Sequence, residues 1–333
     1  MLKNKIYSSK LLLAIINVLF RLKNKSAYLK EVKIRVNYDL FNDYLKLAKD
    51  LPYYPFDYLP DNNLYGISYS LKKYMEVSVF RNIDAHFEHG LYLGHYVQEI
   101  SKISYAKKIV TFGLNRKKHL LKNMSKKVLC IGPYIKYAKS LLNLKEIQKI
   151  KDEFGKTLLV FPSHSIKGLN ASFDSNYFLN QIKAYNKEYS TVIICLYYAD
   201  VKNKSLVTMY QNMGAKIVCA GHKYDCHFLS RLRSIIEISD FTISNNVGTH
   251  IGYAIALGKQ HKIIQQDVRY RGDNSKEKNK LNLKGLEFLE IDKKAIINSL
   301  DNNNFGYNDI IEAYWGNSFF CTKEEMKNKL FFK

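Results

Sequence analysis

The chain has 333 residues, of which 47% are hydrophobic and 14% aromatic, so it has ample apolar surface for a core and exceeds the usual length of one domain. This composition excludes a disordered or fibrous protein. The net charge is +22, of which residues 1–150 carry +16, and so basic a half attracts a polyanion: nucleic acid, an anionic membrane or a phosphorylated substrate.

The first predicted element is the apolar run Leu11–Phe20, which is flanked by lysines and followed by no cleavage site for a signal peptidase. It is shorter than the roughly 18 residues that a membrane-spanning helix needs. We expect a helix or strand of the fold, with a helix lying on an anionic membrane surface as the alternative. The five cysteines are widely spaced and form no disulfide framework, which favours a reducing cytoplasm.

The first half predicts α/β structure with a loop over the Pro- and Tyr-rich segment Leu51–Pro60. The predicted strands are Val77–His86, Lys108–Phe112 and Val128–Ile131, and the predicted helices are Tyr96–Tyr105 and Asn115–Asn123. A helix that ends at Gly155 within Tyr137–Gly155 predicts the domain boundary.

The second half alternates apolar strands with amphipathic helices more clearly, which predicts a parallel sheet covered on both faces. The predicted strands are Lys156–Phe161, Thr191–Tyr197, Lys216–Cys219, Phe241–Ser244 and Lys262–Ile264. The predicted helices are Tyr177–Glu188, Ser205–Met213, Leu229–Ile238 and Thr249–Leu257.

A charged surface loop is predicted over Arg269–Lys284, followed by helices at Asn308–Tyr314 and from Thr322, which begins a capping box with Glu325. The expected fold class is α/β, with two Rossmann-like, doubly wound domains and a helical C-terminal tail. The domains are expected at residues 1–150 and 151–300, and the tail at 301–333.

The first candidate site follows the strand that ends at Phe161, because ligands of open parallel sheets bind at the carboxyl ends of strands. Ser163, His164, Ser165 and Lys167 supply several donors and one cation, which suits a phosphate or a sugar hydroxyl. The alternative is a turn whose serines cap the next helix.

A second candidate site joins the strand Phe241–Ser244 to the next helix. Its residues are Asn245, Asn246, Gly248, Thr249 and His250. A glycine at a helix start lets a diphosphate approach free backbone N–H groups, where the helix dipole favours negative charge. The alternative is a turn with ordinary capping.

The third candidate site is the loop that holds Gly221 and His222, expected to contact the base or ribose of a nucleotide. Cys219, Cys226 and His227 lie nearby in sequence and, with His222, leave a zinc site as an alternative, although the spacing matches no familiar zinc motif.

In the first half, Glu88 is the preferred general base, with Asp84 and His89 behind it. A carboxylate beside an imidazole at a strand end can remove a proton from an acceptor hydroxyl. The alternative is that Glu88 and His89 only pair with nearby lysines.

Three motifs are absent from the sequence: Asp-x-Asp, Gly-x-x-x-x-Gly-Lys-Ser/Thr and Gly-x-Gly-x-x-Gly. Their absence argues against a metal-bridged transferase, a P-loop ATPase and a dinucleotide-dependent dehydrogenase.

The segments Leu159–Ser165, Ile238–His250 and Ala254–Lys259 resemble the GT-B glycosyltransferases of bacterial capsule and lipopolysaccharide assembly. The resemblance implies that the second domain holds a nucleotide-sugar, with its phosphates at a helix N-terminus, and that the first domain holds the acceptor and the base. It carries over Glu88 as the base and His164 as a contact of the donor phosphate. It also implies that no metal is needed and that the C-terminal helices cross back to the first domain.

Two short segments, 88–90 and 162–164, partly match motifs of bacterial sialyltransferase-like members, which leaves a CMP-activated donor open. The predicted function is transfer of a sugar from a nucleotide-sugar to an O-antigen, lipopolysaccharide or capsule acceptor, with inversion of configuration favoured. The expected partners are the nucleotide-sugar as co-substrate, a lipid-linked or polysaccharide acceptor and an anionic membrane, with no other cofactor. The expected location is the cytoplasmic face of the cell membrane.

Two rival functions remain. One is transfer of a non-sugar group such as pyruvate to a polysaccharide on the same fold, because fold alone does not define a reaction. The other is binding of nucleic acid, which the net charge favours, although no recognition module is visible and no nucleic-acid partner is expected.

Overall fold

The computed structural model describes residues 2–165, 170–271 and 286–332, which form a mixed α/β fold built on parallel sheets. This confirms the predicted α/β class. The helices are α1 (Leu2–Ser8), α2 (Lys10–Arg35), α3 (Tyr44–Leu47), α4 (Ile67–Tyr74), α5 (Glu99–Ile103), α6 (Leu114–Asn123), α7 (Leu144–Phe154), α8 (Ser175–Lys183), α9 (Lys204–Gln211), α10 (Phe228–Ile238), α11 (Thr249–Ala256), α12 (Leu286–Asn302), α13 (Asp309–Trp315) and α14 (Lys323–Phe331).

A three-stranded parallel sheet lies in the first half of the chain, in the order β1, β2, β3. Its strands are Ala85–Phe87, Lys108–Thr111 and Lys127–Cys130. Helix α6 connects β2 to β3, as the sequence predicted. The carboxyl ends of these strands face one edge of the sheet, so the loop after β1 lies at that edge.

The long strand predicted over Val77–His86 is wrong, because only its end forms strand. Glu76 has a φ of 57°, and the Arg81 N–H donates to the Ser78 carbonyl, so the chain turns there. The N–H of Ile83 donates to the buried Asp57 carboxylate, so this N–H cannot donate to a neighbouring strand.

The helix predicted over Tyr96–Tyr105 is shorter than expected and covers only Glu99–Ile103, because Ser104 has extended backbone angles.

A five-stranded parallel sheet follows, in the order β7, β6, β4, β8, β9. Its strands are β4 (Thr157–Phe161), β6 (Thr191–Cys195), β7 (Lys216–Val218), β8 (Phe241–Ser244) and β9 (Gln260–Ile263). Each overlaps a predicted strand, although β9 begins two residues before the predicted Lys262–Ile264 and ends one residue earlier. Residues of the central strand β4 are buried throughout, as expected of a strand covered on both faces.

A small antiparallel pair joins β5 (Asn170–Ser172) to β10 (Arg269–Arg271). The surface loop predicted from Arg269 is therefore wrong over the three residues of β10. Its remaining part lies outside the described residues.

One hydrophobic core connects the two larger sheets with the C-terminal helices. It includes Val110 of β2, Leu159 of β4, Ile251 of α11 and Trp315 of α13, all nearly fully buried. The hydroxyl of Tyr74 in α4 donates to the Cys321 carbonyl, which anchors the segment before α14 to the first half. The domain limits at residues 150 and 300 stay predictions.

Candidate functional site

Glu88 follows β1 and is engaged in a buried ion pair. Both of its carboxylate oxygens accept from the Arg116 guanidinium, at 2.6 Å and 3.0 Å, and one also accepts from the Thr111 hydroxyl at 2.9 Å. Its side chain is 1% exposed. A carboxylate held in this way has no oxygen free for an acceptor hydroxyl, which argues against the predicted role of Glu88 as the base.

Asp84 also departs from its predicted place. It precedes β1, whereas His89 follows it, so the strand separates the two side chains along its length. The Asp84 carboxylate is exposed, forms an ion pair with Lys10 at 2.8 Å and accepts from Asn82. It stabilises the contact with α2 and lies away from the carboxyl end of the sheet.

His89 is the predicted residue of this loop that has an accessible imidazole. Its Nδ1 lies 3.6 Å from an oxygen of Asp61, and its Nε2 lies 3.2 Å from the hydroxyl of Tyr92. Asp61 also contacts Nε2 of the buried His86 at 3.3 Å. Burial alone would raise the pKa of Asp61, but hydrogen bonds and attraction from the two imidazoles lower it well below its usual range, so the carboxylate stays ionised.

Asp61 is placed by the 3₁₀ segment Pro60–Gly66 that carries it. The amide of Asn62 donates to the Ala85 carbonyl at 2.8 Å and accepts the N–H of Phe87 at 2.9 Å, so the segment lies against β1. This contact brings Asp61 to His89, although 28 positions separate them in sequence.

The loops after β4 and β8 are joined by Asn245, which is buried. Its side-chain oxygen accepts from both the N–H and the hydroxyl of Ser163, at 2.7 Å and 2.9 Å. Asn246 accepts the N–H of Val247 through its own side chain, which fixes the turn. The predicted residues Ser163, Asn245 and Asn246 thus lie together, with Asn245 holding the two loops in register.

Helix α11 begins after β8, at the carboxyl end of the five-stranded sheet. Its N-cap, Gly248, provides no side-chain cap, and a Cβ at this position would lie 2.8 Å from the His250 ring. Thr249 accepts the N–H of Leu91, two residues after His89, at 2.8 Å. The loop after β1 and the start of α11 are therefore in direct contact.

His250 packs with its ring stacked on Phe161 at 5.0 Å, and its Nε2 is buried with no hydrogen-bond partner among the described residues. Burial, together with a smaller electrostatic effect of the nearby His164, lowers the pKa of His250 to about 3. The imidazole is therefore neutral at physiological pH.

His164 lies in the loop after β4 and is exposed. Its ring is 4.6 Å from that of Tyr197, the Tyr197 hydroxyl is 3.2 Å from the Tyr65 hydroxyl, and the Tyr65 ring is 6.1 Å from His89. Aromatic side chains thus bridge His164 and His89. Lys167, predicted beside them, lies outside the described residues.

A cleft of about 840 Å³ opens at the ends of β4, β6 and β7. Its lining includes Ser163, Ser165, Tyr198, His222 and Lys223. The His222 ring lies 4.5 Å from that of Tyr198, and burial lowers the pKa of His222 to about 4. A neutral imidazole, aromatic rings and hydroxyls can hold a nucleoside.

Gly221 allows this loop to pass close to a buried ion pair. Its φ is 104°, and a Cβ there would lie 2.8 Å from Arg231 and 3.1 Å from Asp225. Cys219 accepts the N–H of Gly221, whereas Cys226 packs in an aromatic cluster with Tyr28. Over residues 2–165, 170–271 and 286–332, no three His, Cys, Asp or Glu side chains lie close enough to share a metal ion.

Sequence reasoning did not single out four residues that surround these side chains: Asp61, Tyr65, Tyr92 and Tyr197, of which Tyr197 lines the cleft. Asp61 gave one usable signal, a carboxylate directly after a proline at the end of a predicted loop. The tyrosines gave none, because they are 3 of 26 in the chain.

No protein-family model matches the chain, and no curated protein matches it either. Among solved structures, the wall teichoic acid polymerase TagF is similar over 74% of this chain and 68% of that chain, with 11% identity and a TM-score of 0.35. A TagF variant soaked with CDPG is 14% identical, with a TM-score of 0.37, over 72% of this chain and 63% of that chain. A second variant is 13% identical, with a TM-score of 0.36, over 72% and 64%.

Proposed function

We propose that the protein is a glycosyltransferase that moves a sugar from a nucleotide-sugar to a hydroxyl of a bacterial surface glycan, at the cytoplasmic face of the membrane. The observation that carries the proposal is the contact of the His89 loop with the start of α11, through Leu91 and Thr249. It sets an imidazole paired with a carboxylate beside a helix N-terminus, and these are the groups that activate an acceptor hydroxyl and receive a leaving phosphate.

His89 acts as the general base in this proposal. Asp61 faces Nδ1 and stabilises the imidazolium that forms. The acceptor hydroxyl takes the place of the Tyr92 hydroxyl at Nε2, which removes the acceptor's proton. The acceptor oxygen forms a bond to the anomeric carbon as the bond from that carbon to the donor phosphate breaks. The electron pair of the broken bond passes to the phosphate oxygen.

The start of α11 receives the negative charge that develops on the phosphate. Gly248 leaves the first backbone N–H groups of the helix without a side-chain cap, and the helix dipole favours an anion there. His164 donates to the same phosphate, and in this proposal Lys167 also stabilises its negative charge. These groups meet the charge of the leaving phosphate, so the proposed mechanism uses no metal.

The nucleoside of the donor occupies the cleft lined by Tyr198 and His222. Ser163, which also lines the cleft, is hydrogen-bonded to Asn245 in the loop that precedes α11. A base on the acceptor side and a phosphate site on the donor side support a single displacement, and we therefore propose inversion at the anomeric carbon.

The proposal is tested first by the donor. A thermal-shift screen against UDP, CMP, CDP, GDP, dTDP and their sugars is expected to show stabilisation by one nucleotide class, because a ligand that binds only the folded state raises its stability. That nucleotide-sugar should then be consumed when a suitable acceptor is supplied. Absence of stabilisation by every nucleotide, together with no transfer, would overturn the glycosyltransferase assignment.

The role of His89 is tested with His89→Ala in the same transfer assay. The turnover number should fall by about 10² to 10⁴, the usual range for loss of a general base, while donor binding stays within about twofold of wild type. His119→Gln is the matched control, since His119 is partly buried outside the cleft and pairs with His95. Near-full turnover by His89→Ala would show that another group removes the proton.

A further inference from the structure

Helix α2 has an inner face that is fixed to the protein by side-chain hydrogen bonds. Asn17, Arg21 and Asn24 donate to the backbone carbonyls of Tyr58, Pro55 and Tyr53 at 2.7 to 2.9 Å. Leu13 and Tyr28 lie on the same side and are buried. This face accounts for the position of the helix, but it uses only about half of its circumference.

The outer face of α2 carries an apolar stripe, defined by Leu11, Ile15, Val18, Leu19 and Leu22. Their exposed fractions run from 48% to 72%. Their spacing of three, four and seven residues places them along one side of a helix, and no charged residue occurs between Leu11 and Phe20. None of the five belongs to a hydrophobic cluster of the described residues.

Exposed cations flank the stripe at both ends. Lys5 precedes it, and Lys23, Lys25 and Lys30 follow it, all of them exposed. A helix with a continuous apolar side and lysines beside it has the composition of one that lies in the interface of a bilayer. The basic first half of the chain adds attraction to anionic headgroups.

The dimensions favour a helix that lies in the membrane plane. From Leu11 to Leu22 the stripe is roughly 16 Å long, against about 30 Å for the hydrocarbon core of a bilayer. Among the residues that the structure describes, no helix is long and apolar enough to cross a membrane.

We propose that the apolar stripe of α2 docks the protein onto the surface of an anionic phospholipid bilayer, with its leucines inserted at the level of the headgroups. A second copy of the chain is a less suitable occupant, because two molecules of net charge +22 would bring their flanking lysines together. An anionic lipid surface satisfies the apolar stripe and the lysines at once.

The docking also fixes which part of the candidate site faces the membrane. The carbonyls that hold α2 belong to the loop Tyr53–Tyr58, and this loop runs directly into the segment that carries Asp61. Docking through α2 therefore holds the proposed acceptor side of the candidate site, at Asp61 and His89, close to the bilayer. The lipid contact itself does not depend on the proposed transfer reaction.

The test is co-flotation of the full chain with vesicles of phosphatidylcholine alone and with vesicles in which about one third of the lipid is phosphatidylglycerol. Wild-type protein should float with the anionic vesicles and much less with the neutral ones. The triple variant Leu11→Gln, Ile15→Gln, Leu22→Gln should lower the partition coefficient by at least about a hundredfold, since each inserted side chain contributes about tenfold. Glutamine preserves the helix propensity.

Matched controls separate the stripe from a general loss of apolarity or charge. Leu144→Gln removes an apolar side chain that is 84% exposed on another helix and should leave vesicle binding unchanged. Lys23→Gln with Lys25→Gln should weaken binding to anionic vesicles only, by about tenfold, whereas Lys145→Gln with Lys149→Gln should not.

Wild-type vesicle binding by the triple variant at an unchanged melting temperature would overturn the proposal, as would absence of binding by wild-type protein. A wild-type dimer in light scattering that the triple variant converts to a monomer, without vesicle binding, would show instead that a second copy covers the stripe. If the triple variant fails to fold, Leu11→Gln and Leu22→Gln singly carry the same test, because both side chains are at least 70% exposed.

Discussion

At the scale of single residues, the contrast between Glu88 and His89 decides what the loop after β1 can do. Adjacent in sequence, the two side chains have opposite surroundings: one is enclosed by Arg116 and Thr111, the other is a quarter exposed beside Asp61. A buried ion pair matters to stability mainly because loss of either partner would leave an unpaired charge in the interior. An accessible imidazole, in contrast, can exchange a proton with a ligand.

The ion pair of Glu88 gives a stability prediction. Glu88→Gln leaves the Arg116 guanidinium buried without a counter-charge, so the free energy of unfolding should fall by about 3 to 5 kcal/mol, measured by urea denaturation. The double variant Glu88→Gln, Arg116→Met should recover most of that loss, since it removes the uncompensated charge. Wild-type stability of the single variant would show that the pair does not stabilise the fold. Wild-type turnover by the double variant would show in addition that Glu88 takes no part in the reaction.

At the scale of elements, α11 packs closely against α13 because Gly252 of α11 has no side chain. A Cβ on Gly252 would lie 1.9 Å from Cδ1 of Trp315, which is itself buried. The indole therefore occupies the space where any other residue of α11 would carry its side chain. This contact joins α11, the helix that begins at the candidate phosphate site, to the C-terminal helices.

Gly252→Ala should accordingly lower the free energy of unfolding by about 1 to 3 kcal/mol, because an overpacked core forces neighbouring backbone to move. Adding Trp315→Leu should restore part of the loss, since it vacates the position of the new methyl group; thermal melting measures both. Gly306→Ala is the control, because its nearest added contact is 3.8 Å away, and its melting temperature should match that of wild type. Equal melting temperatures for Gly252→Ala and Gly306→Ala would contradict the close packing.

The elements differ in how far sequence predicts them. Strands β4 and β6 were predicted because each is a nearly continuous apolar run that is mostly buried, and such runs depend little on distant residues. Strand β1 was predicted too long because a polar contact from Asp57 ends the extended segment. No local pattern reports a hydrogen bond from a residue 26 positions away.

The candidate site divides in the same way. The loops after β4 and β8 follow directly from strand positions, so the sequence predicts that Ser163 and Asn245 lie close together, and they are hydrogen-bonded. Their role at a donor site stays a prediction. The position of Asp61 could not be predicted, because its contact with His89 depends on how Asn62 docks onto β1. The surroundings of Glu88 could not be predicted for a related reason: its ion-pair partner, Arg116, lies on a different element.

At the scale of the whole molecule, the fold buries imidazoles while it leaves most lysines in water. His261 accepts or donates on both ring nitrogens, to Thr242 at 2.7 Å and Ser244 at 2.9 Å, and burial lowers its pKa well below the usual range. His250 and His222 are shifted in the same direction, to about 3 and about 4. Each of these groups stays neutral in the folded state at a pH where it is protonated in the unfolded chain.

Acid should therefore destabilise the protein before its carboxylates titrate. Below pH 6.5 the imidazoles bind protons in the unfolded state but not in the folded state. The free energy of unfolding is therefore highest above that pH and falls as the pH drops toward 4. Each such imidazole contributes about 1.4 kcal/mol per pH unit in this window. Urea midpoints between these pH values measure the slope, and His250→Phe, which keeps the stack on Phe161, should reduce it by about that amount. The control is His164→Gln, because His164 is exposed. If the pH slope of stability were unchanged in His250→Phe but reduced in His164→Gln, the assignment to buried imidazoles would be contradicted.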